Sequence, residues 1–307
     1  MGRRTDLAPA GPRSLPDSGL DQGWEPAVLM TLTLLLLSLG LVTLYSASSV
    51  LARDQGRPDY YYVARQAAGA AAGLALLVGC ARIPYRWWAW AAWPMVGVTV
   101  LLLAVPVLPG TEGITLEING ARRWIQLGVT FQPSELAKVA VVVWTAMLAV
   151  KKREHFRSLR RGLMPFLVVW GVLVILIALE PDLSTACLVA LLGVLVVFAA
   201  GGRIGHFVFL ALLAAPVLVT QMQVGFRARR WLAFLDPASD PSGAGFQVNQ
   251  SLIAIGSGGL TGVGFGEGRQ KFGFVPEPHN DFIFAMVGEE WGLLGVAFLV
   301  ALYSTLV

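Results

Sequence analysis

LMPFLVVWGVLVILIALEPDLSTACLVALLGVLVVFAAG, running from Leu163 to Gly201, is two apolar runs divided by Glu180, Pro181 and Asp182. Neither run contains a charge. Runs of this kind, near the ~20 residues that cross a bilayer, read as membrane-spanning helices. Backbone polar groups in lipid must close their hydrogen bonds internally, which leaves helices or a closed barrel. Barrel strands would alternate polar and apolar positions over about ten residues; these runs do not alternate.

Working outward, the same pattern recurs. Eight runs qualify, at 27–48, 63–81, 87–108, 133–150, 163–179, 183–201, 206–222 and 282–305. Of the 307 residues, 56% are hydrophobic and 14% charged, against about 25% charged in soluble domains. Mean hydropathy is +0.66. The chain is therefore expected to be an all-α polytopic membrane protein. Residues 1–26 read as a disordered cytoplasmic tail and 27–307 as a single transmembrane domain. The net charge of +4 is small and unevenly spread, so it reflects membrane topology and excludes a nucleic-acid surface. Cys80 and Cys187 lie in apolar runs and read as small buried hydrophobes.

Orientation follows from basic residues in short loops. Lys151, Lys152, Arg153, Arg157, Arg160 and Arg161 crowd one loop, which should be cytoplasmic. Counting outward keeps the N-terminus inside, with Arg3, Arg4 and Arg13, and places 109–132, 180–182 and 223–281 outside. Long loops obey the rule weakly. Arg227, Arg229, Arg230, Arg269 and Lys271 in 223–281 are thus available to a ligand.

Three places carry candidate chemistry. In INGARRWIQLGVTFQPSELAK, Arg122 and Arg123 are adjacent, and Pro133 opens a helix. Glu135 and Lys138, three apart, share a face and can pair; alternatively Lys138 and the arginines meet an anion in a wet cleft. Glu180-Pro181-Asp182 is either a surface turn or a pair of acids facing a cleft. In VPEPHNDFIFAMVGEEWG, Val275 to Gly292, Asp281 stands where a polar loop meets an apolar run. Asp281 or Asn280 could cap that helix, or Asp281 could act as a general base whose affinity for protons an apolar neighbourhood raises. Glu289 and Glu290 read as packing or ion-pair residues, with Lys138 or an arginine as partner. Phe246–Ile255 reads as an amphipathic interfacial helix, and the glycines from Gly256 to Gly273 as a re-entrant loop. They fit neither a P-loop nor a dinucleotide fingerprint. Glu277, His279 and Asp281 are metal-ligating residue types at a spacing that matches no metal motif. His155 and His206 read as surface or interfacial, and no Ser-His-Asp arrangement is legible.

NGARRWI, QPSELAK, EPDLST, QVNQSLIAIGSGGLTGVGFGEG and VPEPHNDFIFAMVGEEWG occur in this order. Together they resemble the SEDS family (shape, elongation, division, sporulation), its division branch more than its elongation branch. The resemblance runs from about residue 28 to Val307. It implies a SEDS-type bundle, with about eight of the ten spans typical of the family, a large extracytoplasmic loop between spans seven and eight, and a C-terminally incomplete chain.

The resemblance also implies an activity. That activity would be a peptidoglycan glycosyltransferase's, polymerising lipid II at the outer face of the bacterial cytoplasmic membrane, at the division septum. Implied partners are lipid II, membrane lipids, a class B penicillin-binding protein and other divisome proteins. The essential carboxylate of the family matches Asp281. Its Glu and Lys of the fourth span match Glu135 and Lys138, and its Asp after proline matches Asp182; Glu180 stands where the family usually has Gln. Arg122, Arg123, Lys138, Lys271 and His279 complete the expected substrate-binding set. Cations, or a divalent metal such as Mg or Mn, would stabilise the leaving pyrophosphate. The metal site, if there is one, is unassigned. A lipid II flippase and a scaffold without catalysis are the competing readings.

Overall fold

The computed structural model describes residues 23–306, apart from 119, 153–155, 157, 238–239, 241–242 and 244. The expected tail therefore lies outside the described residues up to position 22, as do Arg153, His155 and Arg157. Helix α1 starts at Trp24, slightly ahead of the expected boundary.

The helices are α1 (Trp24–Asp54), α2 (Tyr61–Ala81), α3 (Tyr85–Val107), α4 (Pro133–Lys152), α5 (Met164–Leu179), α6 (Leu183–Ala199), α7 (Ile204–Met222), α8 (Gly225–Leu235), α9 (Phe246–Gly258) and α10 (Ile283–Leu306). Each of the eight apolar runs is a helix. Seven are long and apolar enough to cross a membrane, α5 when taken with the turn before it as Arg160–Leu179, and α6, at 17 residues, is shorter. A single π-helical turn, Leu159–Leu163, leads into α5.

The polar stretch before α4, expected only as an outer loop of an all-α chain, is regular. It folds as a small antiparallel sheet of β1 (Thr115–Ile118), β2 (Ala121–Leu127) and β3 (Val129–Phe131), in the order β1-β2-β3. A second unforeseen element is α8, within the expected outer loop.

The chain forms two compact units. One comprises residues 76–224. Its core is built on helical spacing: Ala137, Ala140, Val141 and Trp144 of α4 lie three or four residues apart, as do Phe166, Trp170, Leu173 and Ile177 of α5. The alanines let neighbouring helices approach closely. Trp170 fills the space over Gly193 of α6, where an added Cβ would sit 2.5 Å from the indole. The Trp170 Nε1–H donates to Thr145 Oγ1 at 3.0 Å, which satisfies its one polar group.

The other unit comprises the described residues of 1–75 and 225–307. Here α10 packs along α1 and against α9. Helix α10 is broken at Gly292, whose φ of 66° and ψ of −166° leave the helical region. The glycine-rich segment after α9 repairs the break. Val263 N–H and Gly264 N–H donate to the carbonyls of Glu289 and Glu290, at 3.0 and 3.2 Å. Leu293 N–H and Leu294 N–H donate to the carbonyls of Gly259 and Leu260, at 2.9 and 3.1 Å. Interrupted backbone at membrane depth is tolerated where it is buried against protein, as here, or lines a water-filled cavity. The free cysteines Cys80 and Cys187 are exposed on helix surfaces, not buried as expected; on apolar helices, outward faces are as hydrophobic as inward ones.

Candidate functional site

In the unit of residues 76–224, the sheet, the start of α4 and the α5–α6 turn meet. Arg123 is the link. Its Nε donates to the Glu180 carbonyl at 3.0 Å and its Nη2 to the Pro181 carbonyl at 2.6 Å. Its Nη1 lies 4.0 Å from Asp182 Oδ2. Arg122 does not join it. Successive strand residues face opposite sides, and Arg122 turns instead to Glu112 and Glu117, at 3.1 and 3.5 Å. The adjacent arginines therefore do not form one anion-binding fork.

Asp182 is buried and caps α6, accepting from Thr185 N–H at 3.2 Å and Thr185 Oγ1 at 2.9 Å. It also accepts from Gln132 Nε2 at 3.3 Å. Gln132 precedes α4, so this bond ties the first turns of α4 to the cap of α6. Those turns carry Glu135 and Lys138, whose ion pair is 2.7 Å long, the i,i+3 pairing their spacing anticipates. Lys138 retains N–H donors beyond that pair. Arg123, Lys138, Glu135 and Asp182 thus share one end of this unit.

Glu180 is the anomaly there. It is 2% exposed, and among the described residues neither carboxyl oxygen has a hydrogen-bond partner. Burial pushes its pKa up to about 8, with neighbouring Asp182 adding to the rise and Arg123 opposing it. The folded chain therefore holds this proton up to about pH 8, whereas an ordinary glutamate releases it near 4.5. The associated stability is complete below about pH 4.5 and is lost as pH rises through about 8. Glu180→Gln needs no proton. Its melting temperature relative to wild type is expected to climb between about pH 5 and about pH 9. Thermal unfolding of detergent-solubilised protein across that range checks this, and a constant difference contradicts it.

In the other unit, Asp281 is exposed and precedes α10. Neither Asp281 nor Asn280 caps the helix. The first helical hydrogen bonds, from Ala285 and Met286, run to the Phe282 carbonyl, and Asn280 Nδ2 donates to Glu277 Oε2 at 3.2 Å. Among the described residues, the Asp281 carboxylate has no hydrogen bond or ion pair. The capping alternative fails, and a free carboxylate remains. His279, two residues earlier, packs its ring on Tyr62, centroids 4.8 Å apart, with Nε2 3.7 Å from Glu277 Oε2.

Lys271 is not free. Its side chain is 4% exposed and donates to Glu290 Oε1, Ser46 Oγ and the Gly266 carbonyl. Glu290 thus pairs with Lys271, where Lys138 or an arginine was expected. Glu289 accepts from the backbone N–H groups of Arg269 and Gln270. Ser46, one of several hydroxyls in the first apolar run, and Gln132, at a helix lead-in, were not singled out in the sequence; nothing there sets either apart from its polar neighbours. Among the described residues, no group of three or more His, Cys, Asp or Glu side chains could hold a metal ion. Glu277, His279 and Asp281 are thus no such site, and no step is assigned to a metal.

A family model for cell cycle proteins, that of FtsW, RodA and SpoVE, matches residues 27–307. A Geobacter sulfurreducens protein named probable peptidoglycan glycosyltransferase FtsW is 38% identical over 282 residues, 91% of this chain and 75% of its own. Stage V sporulation protein E of Bacillus subtilis is 36% identical over 283 residues, 91% of this chain and 76% of its own. Among solved structures, a chain of a peptidoglycan synthase complex that coordinates polymerization and crosslinking matches with a TM-score of 0.70. It is 32% identical over 92% of this chain and 75% of that one. The rod shape determining protein RodA of Thermus thermophilus matches with a TM-score of 0.61 and 29% identity, over 92% of this chain and 72% of its own. The motifs, the apolar helices and these likenesses agree: the protein is an integral membrane protein of the FtsW/RodA/SpoVE family, the SEDS family.

Proposed function

We propose that the protein is a peptidoglycan glycosyltransferase that polymerises lipid II at the outer face of the bacterial cytoplasmic membrane during division. The observation that carries this is Asp281, an exposed carboxylate at the mouth of an apolar helix with no hydrogen bond or ion pair among the described residues. The names of relatives at 38% identity support the reaction class and its division branch. The many basic residues of the loop after α4 support the orientation.

In the reaction, the 4-hydroxyl oxygen of an acceptor sugar attacks the anomeric carbon of the donor N-acetylmuramic acid. Asp281 accepts the hydroxyl proton. The bond to undecaprenyl pyrophosphate breaks, and that group leaves with the electron pair. An α-linked donor giving a β-linked product requires one inverting displacement. Within the unit of residues 76–224, Lys138 and the Nη1 end of Arg123 offer charge-assisted donors to an anionic group of the substrate, while Arg122 is engaged by Glu112 and Glu117. Glu135 holds Lys138, and Asp182 holds the helix start beside it. Lys271 and His279 move from contacting substrate to supporting the segment that bears Asp281. We assign a class B penicillin-binding protein as the crosslinking partner; a related chain belongs to a peptidoglycan synthase complex.

Proteoliposomes containing the protein and its transpeptidase partner, given lipid II, are expected to yield muramidase-sensitive glycan strands. Movement of lipid II between leaflets without polymer would overturn this reading in favour of a flippase.

A further inference from the structure

One ammonium joins α1 to the glycine-rich loop and α10. Lys271 donates to Ser46 Oγ of α1 at 2.9 Å, to Glu290 Oε1 of α10 at 3.0 Å, and to the Gly266 carbonyl of its own loop at 2.6 Å. Ser46 donates to the same Glu290 oxygen. Glu289 accepts from Arg269 N–H at 2.7 Å and Gln270 N–H at 3.2 Å. The carboxylates are each 2% exposed, and Glu290 Oε2 is buried without a partner among the described residues.

A buried ion pair is weak grounds for stability, because well-packed apolar residues often serve as well or better; register is its better-attested contribution. What lies downstream of this pair shows what the register serves. Val275, 1% exposed, inserts into a cluster with Ala47, Ala254, Ala285 and Met286. Its N–H donates to the Gln270 carbonyl at 3.0 Å. His279 then packs on Tyr62, and Phe282 packs on the Val275 cluster. Asn280 and Asp281 are the exposed residues between those two packed rings. The segment from Gly268 to Phe282 is thus fixed at its upstream end by charge and at its downstream end by packing, with Asp281 presented outward.

We infer that Lys271, Glu290 and Ser46 are positioning residues that set the register of the loop bearing Asp281. The inference rests on Asp281 being the proton acceptor proposed above. Helix α10 and the glycine loop are already joined by four backbone hydrogen bonds around Gly292. Removing both charges together therefore leaves the framework in place and releases only the register.

The test uses the full chain in nanodiscs with its transpeptidase partner. Asn280 is exposed beside Asp281. A nitroxide on Asn280→Cys, with Cys80 and Cys187 replaced by serine, reports local mobility by electron paramagnetic resonance; rates are taken on unlabelled protein. In Lys271→Met/Glu290→Met, the melting temperature is expected to match wild type and the label to become mobile. kcat is expected to fall at least about tenfold, with KM for lipid II changed less than about twofold. Ser46→Ala, which removes no charge, is expected to shift both readouts the same way by less. It serves alone if the double variant does not fold. A folded variant with a wild-type spectrum, or with a freed label and an unchanged kcat, overturns the inference. A freed label in a protein whose parent makes no polymer supports the positioning role and counts against the proposed reaction.

Discussion

Gly292→Ala is expected to prevent the chain from accumulating in a folded state, or to lower its melting temperature by about 10 °C or more. Two effects combine. At φ 66° an L side chain is strained by about 1–3 kcal/mol. An added Cβ would also sit 2.3 Å from the Gly262 nitrogen and 2.7 Å from the Leu260 carbonyl carbon. Both neighbours are backbone and cannot swing away. Relief requires α10 to separate from the glycine loop, which would strand the four N–H···O bonds that bridge the break. Each such group, unsatisfied in an apolar setting, costs several kcal/mol. Gly171→Ala is the control. Nothing lies within 4 Å of its added Cβ, and alanine is favoured over glycine in a helix by up to about 1 kcal/mol. Fluorescence-detected size exclusion with thermal challenge separates the two variants.

Asp281→Asn is expected to do the reverse, leaving the fold intact and removing the activity. Asparagine keeps the shape of the side chain but cannot accept the hydroxyl proton. General-base contributions of this kind amount to about 10²–10⁴-fold, so kcat should fall by that range. Because the carboxylate has no hydrogen bond or ion pair among the described residues, stability should change by no more than about 0.5 kcal/mol. Loss of activity with loss of stability would indicate a structural role.

The apolar runs were legible because lipid imposes one rule on every residue of a span; α5 and α6 follow directly from uncharged sequence. The Glu135–Lys138 pair was legible because three residues of helix bring side chains together without help from the rest of the fold. The sheet was not legible: β2 sets Arg122 and Arg123 side by side and alternates poorly, and its partners are only four and three residues long. The break at Gly292 was hidden because a lone glycine is compatible with a helical pattern, and its conformation is decided by Gly262 and Leu260, about thirty residues away. Lys271 looked available to substrate for a similar reason. Ser46 is 225 positions distant, and only the fold brings it to the ammonium. Asp281 kept its candidacy on geometry, since the helix it precedes begins its hydrogen bonds at Phe282 without it.

The central claim is most directly tested by glycan polymer formation from lipid II, at saturating substrate, by wild-type and Asp281→Asn proteins of matched melting temperature, each with the transpeptidase partner. The expected result is polymer from wild type and a rate at least about a hundredfold lower from the variant. Polymer from Asp281→Asn within a few fold of wild type, or none from a folded wild-type protein, would contradict it.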